Sequence, residues 1–254
     1  YGALSLMDKP HYKDKMGPFL PNIQVLRYNH TGDLREHIDA NTAAVVLEFI
    51  QGEGGLRETS AEFIELLNEL KLKYGFLLVA DEIQGGCGRT GKFFAYEHFG
   101  VTPDLVSLAK GIGGGLPLGA ILGRESLANV FEKGMHGTTY GGNPVACAAG
   151  LAVLEELDSG LMAHAAEMGE YLDSALNKIK DDNPGKVSDV RGRGLMKGLA
   201  MDGDAAPLVN ALFEEGIITN AASGNVLRLL PPLIVEKRQI DRLAETIARI
   251  LPKV

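Results

Sequence analysis

Two charged side chains follow two apolar segments that are predicted to be neighbouring strands. Leu77–Ala80 is followed by Asp81, and Leu105–Leu108 is followed by Ala109 and Lys110. The carboxyl ends of the strands in an open α/β sheet are where such folds bind their ligands. A lysine amine can form a Schiff base with an aldehyde, and a carboxylate can hold a proton on a pyridine nitrogen. This pair therefore predicts a site for pyridoxal 5'-phosphate.

Each of the two residues also has an ordinary explanation. A lone aspartate at a strand end more often begins a loop than serves a cofactor, and a single lysine is most often a surface residue. For Lys110, however, the preceding apolar strand and the glycines of Gly111–Gly115 predict enclosure. Enclosure favours the neutral amine that imine formation requires.

A polar, glycine-rich turn, Gly137–Pro144, runs into a predicted helix. The hydroxyls of Thr138 and Thr139 and the free amides of the turn suit a phosphate at a helix N-terminus. The alternative is a simple cap, with Asn143 at the N-cap and Pro144 at the first helical position. The sequence leaves both open, and each can hold for different residues of the turn.

Arg228 lies inside the apolar segment 226–235. A buried arginine is costly unless it is paired, and its guanidinium matches a carboxylate with two parallel hydrogen bonds. The alternative is the exposed face of an edge strand, which Pro231-Pro232 favours. An acid, Glu53, lies in the glycine-rich loop Gln51–Gly55, which is a weak pattern by itself.

The composition is that of an ordinary globular protein, with 254 residues, 45% hydrophobic and 23% charged. A net charge of −8 argues against nucleic-acid and anionic-membrane partners, and no apolar run approaches the ~20 residues of a membrane span. The two cysteines cannot form a disulfide framework, and Cys87 is interpreted as structural. The six histidines lack metal-ligand spacing. We expect a cytoplasmic protein without a metal.

Strands that alternate with helices up to Asn143 predict a mainly parallel sheet covered on both faces. Residues 1–35 are expected to be dominated by loops. The predicted strands of this part are 43–47, 77–80, 105–108 and 120–122, and a helix capped by Ser60 runs to Tyr74.

The later pattern predicts a separate α+β domain, so the expected domains are 1–147 and 148–254. Its predicted helices are 144–157, 161–179, 206–215 and 236–251. Its predicted strands are 187–191, 195–200, 217–219 and 226–229.

Several motifs occur in an order that resembles a known family. They are Leu47–Gly55, Val79–Gln84, Gly88–Gly91, Ala109–Gly111 and Gly137–Pro144. Together they resemble the class III, pyridoxal-phosphate-dependent aminotransferases, of the subgroup with acetylornithine and ornithine aminotransferases. The resemblance spans the chain and implies the type I fold of pyridoxal-phosphate-dependent transferases, with a large domain and a small α+β domain.

The resemblance implies roles around the cofactor. Lys110 is the Schiff-base lysine and Asp81 partners the pyridine nitrogen. Ile83 packs on the ring face, Gln84 bonds the phenolic oxygen, and Glu48 lies near the ring.

It also implies roles for the partner subunit and the substrate. Thr139, with Thr138 beside it, reaches the phosphate in the neighbouring subunit of a homodimer whose sites are shared. Arg228 binds the α-carboxylate of substrates. Glu53 pairs with Arg228 when the large amine donor is bound and swings aside for glutamate.

The implied activity is transfer of the amino group of N-acetylornithine to 2-oxoglutarate, in arginine and ornithine metabolism. Close alternatives are ornithine, succinylornithine and 4-aminobutyrate aminotransferases, although a pair such as Arg228 and Glu53 favours donors with an α-carboxylate. A non-catalytic folded fragment of such an enzyme is the alternative from another class. An aminomutase or racemase is weaker, because those relatives generally lack this form of the Gln84–Gly91 pattern.

The chain departs from the family in three respects. Phe49 replaces a proline, which predicts a local backbone change with retained chemistry, and Gly85 replaces a threonine, which predicts a looser loop. Family members also have a long segment before the point that matches Tyr1, which carries a phosphate-binding turn and an aromatic residue stacked on the ring. We therefore expect a C-terminal part of a longer protein.

Overall fold

The computed structural model describes residues 1–253. By their internal contacts these residues form two compact units, one of 1–42 with 59–75 and the other of 43–58 with 76 onwards. The predicted domain division at 147/148 falls inside a helix of the second unit. That division stays a prediction.

The first unit is helical, with α1 Gly2–Leu6, α2 Pro10–Lys13, α3 Thr31–His37 and α4 Ala61–Tyr74. Three of these helices begin within residues 1–35, but most residues of that range lie outside helices and strands, which confirms the expectation of a loop-dominated start. These helices are short, so the periodic pattern of apolar residues that would predict them is weak. The predicted cap of α4 is confirmed, because Ser60 Oγ accepts a hydrogen bond from the Phe63 amide at 3.3 Å.

The first sheet of the second unit brings the predicted strand ends together. Its strands are β1 Ala44–Leu47, β2 Leu77–Asp81, β3 Leu105–Leu108 and β4 Ala120–Gly123, in spatial order β1-β2-β3-β4. The first three strands are parallel and β4 is antiparallel, which confirms a mainly parallel sheet. Leu47 pairs with Ala80, and Asp81 pairs with Ser107. Residues that follow these strands therefore meet at one edge of the sheet.

The second sheet is antiparallel throughout. Its strands are β5 Val187–Arg193, β6 Met196–Met201, β7 Asn220–Ala222 and β8 Val226–Leu229, in spatial order β5-β6-β8-β7. The helices of this part of the chain are α5 Pro144–Glu156, α6 Met162–Asp182, α7 Ala206–Glu214 and α8 Lys237–Ile250. Leucines and isoleucines of α6, β6, β8 and α8 form one buried core.

The predicted strand at 217–219 is wrong, because that segment closes the end of α7. Gly216 adopts a φ of 73°, and the Ile217 amide donates to the Leu212 carbonyl at 2.9 Å. This pattern is the usual left-handed end of a helix. Residue 217 is therefore held by the helix, and β7 begins only at Asn220.

Candidate active site

Three charged side chains lie at the carboxyl edge of the first sheet. Glu48 follows β1, Asp81 ends β2, and Lys110 follows β3 by two residues. Asp81 Oδ1 accepts from the Ile83 amide at 3.1 Å, and Glu48 Oε1 accepts from the Gly52 amide at 3.2 Å. Burial raises the pKa of Glu48 and the Asp81 charge adds to this, while the Gly52 amide and Lys110 act in the opposite direction. The parallel strands thus gather an amine and two carboxylates.

Lys110 sits in a strained backbone conformation. Its φ is 51°, a left-handed value that a residue with a side chain rarely adopts, and Ala109 before it is extended. Such strain is concentrated at functional positions. The predicted enclosure of this lysine is wrong here, because Lys110 is exposed. Within residues 1–253 its amine has no hydrogen-bond or ion-pair partner, so a bound molecule could reach it without breaking a contact.

Gln84 carries an acceptor that is buried and unpaired. Its Oε1 has no hydrogen-bond partner within the described chain. The side chain lies against Gly52, where an added Cβ would be only 2.4 Å from Gln84 Nε2. A buried acceptor without a partner costs free energy, and a hydroxyl of a bound molecule would supply the missing bond. This is what a pyridoxal ring with its phenolic oxygen offers, so the residues present fit that group.

Arg228 is buried, with 9% of its side chain exposed, and lies on β8 between β6 and β7. The alternative of an exposed edge strand is therefore wrong. Its Nη1 donates to the Gly52 carbonyl at 3.0 Å and to Glu53 Oε1 at 2.5 Å, and its Nε donates to Asn220 Oδ1 at 3.0 Å. The Glu53 side chain is 66% exposed. The buried cation is thus paired with an acid whose side chain is open to solvent.

A glycine on the neighbouring strand lets the Glu53 loop approach Arg228. Gly198 of β6 pairs with Arg228 of β8 and is buried. An added Cβ at this glycine would lie 2.7 Å from Val226 Cγ1 and 3.1 Å from Leu56 Cβ. Leu56 is fully buried and ends the loop that carries Gly52 and Glu53. The lack of a side chain at Gly198 therefore allows the ion pair between Arg228 and Glu53 to form.

Gly198→Ala is expected to destabilise the protein by about 1–3 kcal/mol, because the new methyl group overpacks the contact with Leu56. The measurement is urea unfolding of the variant and of a matched control, Gly203→Ala. Gly203 is exposed, and a Cβ added there would meet nothing within 4 Å. The control should stay within about 0.5 kcal/mol of the parent. Equal stability of the two variants would contradict the packing role of Gly198.

Glu82 is a buried acid that sequence reasoning missed. Its side chain is 1% exposed, and its two oxygens accept from the Ala95 amide at 2.8 Å and the Tyr96 amide at 2.9 Å. These bonds hold the single 3₁₀ turn Ala95–His98 against the end of β2. Burial is the largest influence on this carboxyl and raises its pKa to about 7. Its position directly after Asp81 was the available signal.

The raised pKa of Glu82 predicts a pH dependence of stability. The unfolded chain ionises this acid near its ordinary pKa of 4.5 and the native protein only near 7. The free energy of unfolding should therefore fall by up to about 3 kcal/mol between those values and then level off. Glu82→Gln should lack this component, so its stability relative to the parent should rise with pH. The check is urea unfolding from pH 4.5 to 8, with exposed Glu65→Gln of α4 as control; parallel curves for all three proteins would refute it.

The turn before α5 behaves as a cap. Asn143 Oδ1 accepts from the Ala146 amide at 2.9 Å, and Pro144 is the first helical residue. Thr138 Oγ1 accepts from the Gly141 amide at 3.2 Å, and both Thr138 and Thr139 are exposed. In the described chain no hydrogen bond joins these threonines to the strand-end group. Their predicted contact with a phosphate in a neighbouring subunit stays a prediction.

Residues 1–253 contain neither a cluster of metal ligands nor a membrane-spanning helix. No group of three or more His, Cys, Asp or Glu side chains in this range is arranged to hold a metal ion. No helix in the same range is both long and apolar enough to cross a bilayer.

Known proteins resemble this chain over nearly all of its length. An acetylornithine aminotransferase of Aquifex aeolicus is 42% identical over 251 residues, which cover 99% of this chain and 65% of that protein. A [LysW]-aminoadipate semialdehyde transaminase of Deinococcus radiodurans is 41% identical, covering 100% of this chain and 59% of that protein. The chain therefore spans roughly three fifths to two thirds of the length of these relatives.

Solved structures of aminotransferases share the fold of this chain. The crystal structure of the ornithine aminotransferase from Toxoplasma gondii superposes with a TM-score of 0.91 at 32% identity, over 99% of this chain and 61% of that one. An acetylornithine aminotransferase from Elizabethkingia anophelis superposes with a TM-score of 0.84 at 33% identity, over 95% of this chain and 62% of that one. The sequence matches the family described as aminotransferase class-III over residues 1–251. The fold is that of the pyridoxal-phosphate-dependent aminotransferases, and the chain belongs to the class III aminotransferase family.

Proposed function

We propose that this chain carries the catalytic lysine and the carboxylate-binding arginine of a pyridoxal-phosphate-dependent aminotransferase. The observation that carries the proposal is the meeting of Lys110, Asp81 and Glu48 at one sheet edge, beside the orphaned acceptor of Gln84. A free amine, a carboxylate for a ring nitrogen and an acceptor for a phenolic group are what this cofactor needs. A chain with only a structural role needs none of them.

The residues that would hold the cofactor follow from this arrangement. Lys110 would bind it through its amine, Asp81 would face the ring nitrogen, and Gln84 and Ile83 would contact the ring. Thr138 and Thr139 would bind the phosphate of the cofactor in the neighbouring subunit of a homodimer. The enzyme would be cytoplasmic. When bound, pyridoxal phosphate supplies an electron sink for the carbon that carries the amino group.

The protein groups would then act on the substrate. The Lys110 amine, once released, would take the proton from the carbon that carries the amino group and return a proton during the reverse half of the cycle. Asp81 would keep the ring nitrogen protonated by placing a negative charge beside it. Arg228 would hold the substrate carboxylate with parallel hydrogen bonds.

The proposed reaction moves the amino group of N-acetylornithine to 2-oxoglutarate, in arginine metabolism. The support is the ion pair between buried Arg228 and exposed Glu53, because an acid that can leave lets one site receive substrates with and without a second carboxylate. The acetylornithine aminotransferase relatives support the same donor. Ornithine, succinylornithine and 4-aminobutyrate are alternative donors, and the Deinococcus relative adds an aminoadipate semialdehyde derivative to be assayed.

The test is covalent trapping. The protein is incubated with pyridoxal phosphate, reduced with borohydride, digested and mapped by mass spectrometry. A single adduct on Lys110 is expected. Scattered labelling of surface lysines, or none, would mean that this chain is a folded portion without a cofactor site, which is the non-catalytic alternative.

A further inference from the structure

A second residue holds the arginine that is proposed to bind the substrate carboxylate. Asn220 of β7 and Arg228 of β8 are paired directly across the two antiparallel strands. Directly opposed side chains in such a pair lie on the same face of the sheet. Asn220 Oδ1 accepts from Arg228 Nε at 3.0 Å. The strand register, rather than a flexible loop, therefore sets this contact.

The guanidinium group has five N–H donors, and the partners of these donors differ in how firmly the fold holds them. Nε is held by Asn220, and Nη1 is held by the backbone carbonyl of Gly52 and by Glu53. In residues 1–253, Nη2 has no hydrogen-bond partner. Glu53 and Asn220 are both exposed, but only Glu53 lies on a glycine-rich loop, whereas Asn220 is held in a strand. When Glu53 leaves, the other two contacts still fix the plane and direction of the group.

This arrangement decides where a carboxylate can bind. A guanidinium can receive a carboxylate on its Nε and Nη side or on the end formed by its two Nη nitrogens. Asn220 already occupies Nε, so the first mode is closed. The second mode offers the unpartnered Nη2 together with the donor that Glu53 releases. An asparagine suits this task because its oxygen accepts from Nε without a negative charge that would repel the incoming carboxylate.

We propose that Asn220 is a positioning residue that turns Arg228 so that substrate carboxylates bind to its Nη1 and Nη2 end. The inference rests on the proposed function, in which Arg228 receives those carboxylates. The Gly52 carbonyl fixes the other side of the same group. Specificity for an α-carboxylate would then depend on a residue that need not touch the substrate.

The first test uses the ligand-free protein labelled with ¹⁵N. The Arg228 Nε–H signal, assigned by its loss in Arg228→Lys, should exchange slowly with water in the parent. It should exchange quickly in Asn220→Ala and remain slow in Asn220→Asp, whose oxygen can still accept. Rapid exchange in the parent would overturn the positioning role, and this readout does not require catalysis.

The second test measures binding of 2-oxoglutarate by calorimetry and turnover with glutamate as the donor. Asn220→Ala should raise Kd and KM about tenfold with little change in kcat, because a hydrogen bond to a charged group is lost. Butylamine, which lacks a carboxylate, should react equally with parent and variant. The control is Asn225→Ala, which also loses a hydrogen bond of this sheet, to the Met201 carbonyl, at a distance from the guanidinium.

The outcomes separate the two proposals. If Arg228→Lys binds 2-oxoglutarate as well as the parent, the proposed role of Arg228 fails and the positioning role fails with it. If Arg228→Lys weakens binding but Asn220→Ala does not, or if Asn225→Ala weakens it equally, only the positioning role of Asn220 is overturned.

Discussion

Lys110→Ala is expected to lower the rate of transamination by about 10⁴-fold or more and to leave the fold intact. The amine is both the proposed attachment point for the cofactor and the proposed base, so its removal eliminates two contributions at once. Stability should change by less than about 0.5 kcal/mol, because the side chain is exposed and makes no hydrogen bond within residues 1–253. Turnover assays and urea unfolding measure the two effects separately.

The control for Lys110→Ala is Lys178→Ala, which removes an exposed lysine of α6. It should retain full activity. A companion variant, Lys110→Gly, should be inactive but about 1 kcal/mol more stable than Lys110→Ala, because glycine adopts a φ of 51° at little cost. Substantial activity in either Lys110 variant would remove this residue from the mechanism.

The strand that places Lys110 and the strand that carries Arg228 could both be predicted from the sequence because their signals are local. The strands Leu105–Leu108 and Val226–Leu229 were predicted with the bounds that the structure has. Their apolar runs are short and bounded by polar or turn residues, which is typical of buried strands. The meeting of Asp81 and Lys110 also followed, since parallel strands end at the same edge of a sheet.

The contacts that orient Arg228 could not be predicted in this way. The pairing of Gly198 and Asn220 with Arg228 joins strands that are distant or weakly marked in sequence. A shift of one residue would turn each side chain to the other face. The start of β7 was itself hidden, because Gly216 closes α7 and holds Ile217 on the helix. The pairing of Glu53 with Arg228 was expected from the family resemblance, not from spacing.

The burial of Glu82 and the exposure of Lys110 show the same limit at the first sheet. Charged residues are rarely fully buried, so the sequence predicts an exposed Glu82. The apolar strand and the glycines around Lys110 predict an enclosed lysine, and the structure has the opposite in both cases. Glu82 is buried because two backbone amides of the 3₁₀ turn near residue 95 require an acceptor there. The position of that turn depends on the path of the chain after Gly91, so the residues next to Glu82 in the sequence do not predict it.

Arg228→Lys is expected to lower kcat/KM for 2-oxoglutarate by about 10²–10³-fold, mainly through KM. A lysine ammonium is a compact donor that cannot form two parallel hydrogen bonds with a carboxylate. Losing one charge-assisted bond and the orientation of the other costs about 3–4 kcal/mol, and each 1.4 kcal/mol is tenfold. Steady-state kinetics with N-acetylornithine and with 2-oxoglutarate measure the loss, which should appear mainly for 2-oxoglutarate, because Glu53 is proposed to stay on Arg228 while N-acetylornithine is bound.

The matched control for Arg228→Lys is Arg238→Lys. Arg238 lies on α8, is 80% exposed and pairs with Glu236 at 2.7 Å. The same chemical change at that surface ion pair should alter kcat/KM by less than about twofold, since such pairs contribute little. An equal loss for N-acetylornithine would show that this donor also places its carboxylate on Arg228. In that case Glu53 would not stay on Arg228 during the donor half of the reaction, and the ion pair would no longer support N-acetylornithine as the donor.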